Sequence, residues 1–257
     1  MKVLQVSIAQ PYAQYRNPFT FVYAQTYPLP PKSTIIGMFQ NALETLDPLK
    51  LEVSICGKYE SVFFHYSHFV KGRKIIYKDG GLWVEQERRS KIMIEPLYIS
   101  QRTPLYHSEL FNVELKIFVK GGDSLLEELC NALNKPKKIL TLGRSHDIAF
   151  VWAEFVAVEE KTVRDLLKLE EFNFLLSKEW VEKLGIQRGI SFLMSKEVIY
   201  EVCGADLRSC VITPRKNISR KVVFTEVYYL EKGRYVLKEG VEEKIEYANG
   251  TIPLFWW

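Results

Sequence analysis

Within the first 160 residues only two stretches repeat their apolar side chains at helical spacing, and alternating, strand-like runs flank both. The first follows Pro30-Pro31, which stop any earlier helix. Ser33 is a suitable N-cap, and Ile35, Met38, Phe39, Ala42 and Leu43 then recur so as to face a core. Gly37 inside this helix costs about 1 kcal/mol relative to Ala, so a strand or ligand is expected close to its backbone. The second begins after Gly121-Gly122, with Asp123 or Ser124 as cap and Leu125, Leu126, Leu129 and Leu133 inward. Strand regions are expected at 3–9, 51–70 (Leu51–Ile55 and then Ser61–Tyr66), 110–119 and 149–156.

That order is β-α-β-β-α-β. It places the chain in the α+β class, on the ferredoxin-like split βαβ plan shared with RNA-recognition folds, over residues 1–160. A hairpin interrupts the plan. Asp79-Gly80-Gly81 is a strong turn between Ile75-Ile76-Tyr77 and Leu82-Trp83-Val84. Its surroundings are basic: Lys71, Arg73, Lys74, Lys78, Arg88, Arg89 and Lys91 stand against Asp79, Glu85 and Glu87. This predicts a basic arm over about residues 71–100. Residues 161–257 are expected to form a smaller, mainly β domain, opening with one or two helices over Lys161–Leu184. The final Phe255-Trp256-Trp257 either tucks into the body or forms a contact surface.

Composition adds limits. Of 257 residues, 47% are hydrophobic and 26% charged, enough to bury a core without staples. Lys plus Arg is 35 and Asp plus Glu is 31, so the net charge of 35 − 31 = +4 does not by itself prove a polyanion partner. The four cysteines, Cys56, Cys130, Cys203 and Cys210, form no Cys-x-x-Cys pair, and free thiols are expected. No apolar run spans a membrane and no signal-peptide layout opens the chain, so a cytoplasmic location is expected, with no membrane partner. No P-loop, Gly-x-Ser-x-Gly or acidic metal cluster occurs, and neither a cofactor nor a metal is expected.

Three segments are candidates for binding. Gly143-Arg144-Ser145-His146 combines a backbone able to approach a phosphate with Arg and Ser donors, although an ordinary turn carries the same residues. Lys32-Ser33-Thr34 adds a cation to the open N–H groups of a helix start, although capping alone explains Ser33. The arm mixes cations with Tyr77 and Trp83, and Tyr66 lies just before it; bases stack on such rings, although a solvated hairpin has the same composition. For acid–base chemistry the candidates are Tyr106, His107 and His146.

Two segments narrow the choice. Thr26-Tyr27-Pro28-Leu29-Pro30-Pro31-Lys32-Ser33-Thr34-Ile35-Ile36-Gly37-Met38, after an N-terminal strand, resembles the opening of the Cas-five family of CRISPR-associated RAMP proteins. Leu142-Gly143-Arg144-Ser145-His146-Asp147 resembles that family's later glycine loop, and lies in the expected place before the fourth core strand. The resemblance spans about residues 1–158. It implies a non-catalytic subunit of a type I surveillance complex (Cascade) that binds the crRNA 5′ handle and contacts the Cas-seven backbone and Cas-eight large subunits. Gly143, Arg144, Ser145 and His146 become the expected handle contacts, with Lys32, Ser33 and Thr34 as neighbours. Arg73, Lys74, Arg88 and Arg89 become cations of a thumb, and the terminal tryptophans suit a protein contact. In one subtype of the family the protein is itself a metal-independent endoribonuclease using Tyr, Lys and His. This sequence has no convincing Lys-His pair there; Tyr106-His107, with Lys116 on the following strand, is the nearest substitute.

Overall fold

A computed structural model describes residues 3–20, 23–70, 74–88, 91–96, 102–202 and 218–257. In chain order the elements are β1 (Val3–Ala13), β2 (Tyr15–Arg16), β3 (Tyr23–Ala24), β4 (Thr26–Tyr27), α1 (Lys32–Leu43), β5 (Glu52–Lys58) and β6 (Ser61–Val70). Next come β7 (Lys74–Lys78), β8 (Gly81–Arg88), β9 (Lys91–Pro96), β10 (Arg102–Lys120), α2 (Asp123–Asn134) and β11 (Phe150–Val156). The chain continues through β12 (Val158–Arg164), β13 (Leu166–Leu169), β14 (Asn173–Ser177), α3 (Lys178–Leu184) and β15 (Ile190–Val202). It closes with β16 (Ile218–Leu230), β17 (Gly233–Val236), β18 (Glu242–Ala248) and β19 (Ile252–Leu254). The fold is mixed α/β and dominated by strands.

A nine-stranded sheet runs β11-β1-β10-β5-β14-β16-β15, with β3 and β6 also on β10. Only β3 pairs in parallel. The sheet crosses residue 160 without a break, because β14 pairs with β5 through Phe174 and Cys56. At its centre both faces are buried. On β14, Leu175 joins the core beneath α1 and α2, while Phe174 and Leu176 enter a second core on the opposite face. On β10, Ile117 and Val119 point one way and Phe118 the other. This is the period of two expected of a strand covered on both sides, which reads as a near-continuous apolar run.

β10 is longer than the sheet. Its second half pairs with β5 and its first half with β6, from Ser61↔Phe111 to Val70↔Arg102. The β6–β10 pair therefore leaves the sheet as a ribbon about 30 Å long, with short β3 added on β10 at Tyr106 and His107. β7, β8 and β9 form a separate three-stranded sheet along the chain between these two strands. Asp79 (φ 51°) and Gly80 (φ 75°) both adopt the left-handed conformation that a two-residue hairpin turn requires. Arg73 and Arg89 lie outside the described residues, as do the side chains of Lys74 and Arg88.

Several expectations are corrected. Pro31, not Ser33, occupies the N-cap of α1 and makes no side-chain cap bond. β15 packs against the helix start, and the Ser33 hydroxyl lies 2.6 Å from that of Ser195. Gly122 caps α2, which starts at Asp123. No atom lies within 4 Å of where a Cβ on Gly37 would sit, so nothing approaches its backbone closely. The helices expected over 161–184 are strands β12, β13 and β14, with only Lys178–Leu184 helical. Leu175-Leu176 mimics a helix face in sequence, but adjacent leucines also serve a strand buried on both sides. Finally, the terminal residues lie inside. Trp257 and Val53 exchange backbone hydrogen bonds at 3.2 and 3.3 Å, and the Phe255 N–H donates to Ser54 Oγ at 2.9 Å. Trp257 is only 9% exposed, so it is no contact surface.

Candidate nucleic-acid interface

The glycine loop is built around Asp147. An isolated bridge, Thr141↔Ile148, closes its base. Gly143 has φ +108°, and a Cβ there would sit 2.8 Å from the Gln14 carbonyl oxygen and 2.9 Å from Asp147 Oδ2. No other residue fits without a shift. Asp147 Oδ2 accepts the backbone N–H groups of Gln14 (3.0 Å) and Arg144 (2.9 Å). The Arg144 guanidinium donates to the same carboxylate through Nε (3.1 Å) and Nη2 (2.8 Å), and through Nη1 to Glu109 Oε1 (2.5 Å). Asp147 is buried to within 1% and Arg144 is 22% exposed. Burial lowers the Arg144 pKa, but the bonds to Asp147 and Glu109 outweigh it and hold the group above its ordinary value. A buried network braces the loop from β1: Gln10 Nε2 donates to the Leu142 carbonyl (2.9 Å), and the Tyr15 hydroxyl donates to Gln10 (2.6 Å).

Arg144 therefore has its charge answered inside the chain and is not an open phosphate donor. What the loop leaves exposed is the Gly143 backbone, Ser145 and His146.

The start of α1 is also occupied. Lys32 Nζ donates to the Trp257 carbonyl oxygen at 2.5 Å, and Ser33 is paired with Ser195. Burial, and then Lys196, push the Lys32 amine below its usual range. Thr34, half-buried, donates its N–H to the Pro31 carbonyl. Nor do the two motifs meet. Arg144 is tied to Glu109, whereas Lys32 is tied to Trp257, which pairs with Val53 and through it with Val119. Ten residues of one strand separate these anchors, at most about 33 Å.

The ribbon carries the exposed chemistry. Neighbours on a strand face opposite ways, so Tyr106 and His107 diverge. On one face Tyr66 and Tyr106 meet at 5.3 Å between ring centroids, and Tyr23 of β3 meets Phe64 at 5.7 Å. Phe64, Tyr66 and Tyr106 are 69%, 48% and 47% exposed. On the other face His107 Nε2 lies 2.9 Å from Ser67 Oγ, with the His65 ring 6.4 Å away, while Nδ1 is buried without a partner. Burial, then Arg144, lower the His107 pKa. His146 is a third, exposed imidazole beside Asp147, 3.9 Å from its carboxylate. Among the described residues no group of His, Cys, Asp or Glu is placed to hold a metal.

Sequence reading singled out Tyr66 but not Tyr23 or Phe64. The alternation Phe64-x-Tyr66 on an expected strand was the available signal, since it puts both rings on one face. Glu109 carried no local signal, because its partner lies 35 residues away.

Comparison with known proteins gives the following. The family described as CRISPR-associated protein (Cas_Cas5) matches residues 3–193. No curated protein matches the chain. Among solved structures, a chain of a CRISPR RNA-guided surveillance complex is similar at 15% identity and a TM-score of 0.54, covering 91% of each chain. A CRISPR protein from Archaeoglobus fulgidus is similar at 13% identity and 0.41, covering 99% of each. A chain of the Type III-B Cmr-beta complex bound to cognate target RNA and AMPPnP aligns at 11% and 0.43, over 90% of this chain and 86% of that one.

Proposed function

This chain belongs to the CRISPR-associated Cas5 family, and from that premise we propose that it is a non-catalytic, cytoplasmic subunit of a type I surveillance complex that holds the 5′ handle of the guide RNA. Its neighbours would be the Cas-seven backbone and Cas-eight large subunits. We read β11-β1-β10-β5 with α1 and α2 as the ferredoxin-like unit of the family, and the ribbon with β7–β9 as its thumb.

The observation that carries the reading is the aromatic face of the ribbon. Phe64, Tyr66 and Tyr106 are about half exposed or more. Unstacked bases find π-faces there, worth about 1–3 kcal/mol per base. Gly143, Ser145 and His146 offer backbone and side-chain donors, while Arg144 shapes the loop from inside. We assign Lys32 and Ser33 no part in the grip, because the Lys32 amine is bonded to Trp257 and the Ser33 hydroxyl to Ser195, and Thr34 lies beside them.

The endoribonuclease alternative finds no support in the geometry: Tyr106 and His107 point to opposite faces, so they do not converge on one scissile bond. Incubating the purified protein with repeat RNA in EDTA tests this directly. We expect binding of handle-bearing RNA without cleavage; a single clean cut abolished by His107→Ala or His146→Ala would reverse the reading.

A further inference from the structure

Among the cations of residues 161–257 two sets stand out. Arg164, Lys178, Lys183 and Lys244 each face a carboxylate, respectively Glu242, Glu226, Glu243 and Glu160. Arg188, Lys232, Arg234 and Lys238 have no ion-pair partner among the described residues, and all are exposed. These four line one feature. A hollow of about 710 Å³ between the end of α3 and β17 continues into a second of about 470 Å³, and Arg188, Arg234 and Tyr235 line both. Among the described residues that line the trough, Glu182 and Glu231 are the acidic ones.

The trough is fixed rather than a chance crease. Gly185, at φ +66°, lets the chain after α3 press against Lys238, whose N–H donates to the Leu184 carbonyl at 3.2 Å. The Tyr235 hydroxyl donates to the Glu231 carbonyl at 2.5 Å, which holds its half-buried ring in the wall. The trough also opens at the end of the sheet from which the ribbon leaves. Leu230 pairs with Phe174, and Phe174 with Cys56 near the end of β5. Three strand spacings separate β5 from β15, about 15 Å.

We propose that this trough is a second contact for single-stranded RNA, holding the sugar-phosphate backbone beyond the segment that the ribbon grips. Two joined hollows with unpaired cations along their length suit a chain-like polyanion better than a single small anion. The proposal rests on the RNA-binding reading above but concerns different residues.

The test uses the full chain and two fluorescent single-stranded RNAs: a handle-length oligonucleotide and the same sequence extended. Arg188→Gln with Arg234→Gln should weaken the extended RNA at least about 10-fold and leave the short one unchanged. It should also make the slope of log affinity against log salt shallower by about 1.4, from two contacts at roughly 0.7 each for a single strand. Arg188→Lys with Arg234→Lys should retain most of the affinity. Both arginines are exposed, so an unchanged melting temperature shows that folding is intact. Unchanged affinity for the extended RNA overturns the trough. So does a poly-glutamate peptide that binds and loses affinity in the glutamine variant while the RNA does not, which would assign the trough to an acidic protein segment. If Tyr66→Ala with Tyr106→Ala leaves both RNAs unaffected while the arginine variant weakens the long one, the ribbon reading fails and the trough stands. If the wild-type chain binds neither RNA, both fail.

Discussion

In the loop from Gly143 to Asp147, the guanidinium of Arg144 is answered by two carboxylates and the loop's conformation is braced by Gln10 and Gln14. On the ribbon, Phe64, Tyr66 and Tyr106 are about half exposed or more, with Tyr66 against Tyr106 and Phe64 against Tyr23. The loop has the more distinctive sequence, yet its arginine and aspartate hold its own shape. The ribbon has the plainer sequence and the more exposed aromatic surface. A motif rich in charge is thus not always where the charge is used on a ligand; when its cation and anion lie three residues apart across a tight turn, they satisfy each other first.

The sharpest way to break this contrast is Asp147→Ala. It leaves the largely buried guanidinium with Glu109 alone and removes the acceptor of two backbone N–H groups, and breaking such a buried pair costs about 3–5 kcal/mol. Urea unfolding should show the loss; a stable variant that merely binds RNA less well would mean Asp147 serves the ligand and not the fold. Gly143→Ala comes next. Its Cβ would meet the Gln14 carbonyl, and its φ would be strained, for about 1–3 kcal/mol of stability. On the ribbon the sign of the experiment reverses. Tyr66→Ala with Tyr106→Ala should cost about 1–3 kcal/mol of RNA affinity per stacked base while the melting temperature barely moves. A large fall in melting temperature with intact binding would show that the rings pack structurally.

The smallest effect concerns pH. His107 has a pKa below that of a free imidazole, whose ordinary value is about 6.5. The folded state thus disfavours its proton. The stability it contributes is complete above about pH 6.5 and is lost as pH falls through the lower folded value. The ring is only partly buried, so the effect is modest. His107→Gln should remove that part of the decline between neutral and mildly acid pH, and identical pH profiles for variant and wild type would show that burial does not bias this ring.

Much of the fold was legible in local pattern. The apolar stripe of α1, the leucines of α2, the Asp79-Gly80 turn and the alternating runs of β1, β5 and β10 all announce themselves within a dozen residues. Leu166 to Leu184 did not, because a strand buried on both faces and a helix can share the same doublets of leucine. The site was legible only as a set of residue types: Gly143, Arg144 and Lys32 were visible, and their partners were not.

The sequence by itself determined the order of the main elements before residue 160, the family and the residues able to carry charge or stack a base, since each of these depends on neighbours within a turn or a strand. Which of those groups remain free was decided only by tertiary contacts. Glu109 lies 35 residues before Arg144, and Trp257 lies 225 after Lys32. A cation's availability depends on what the fold brings within 3 Å of it, and no local period encodes that.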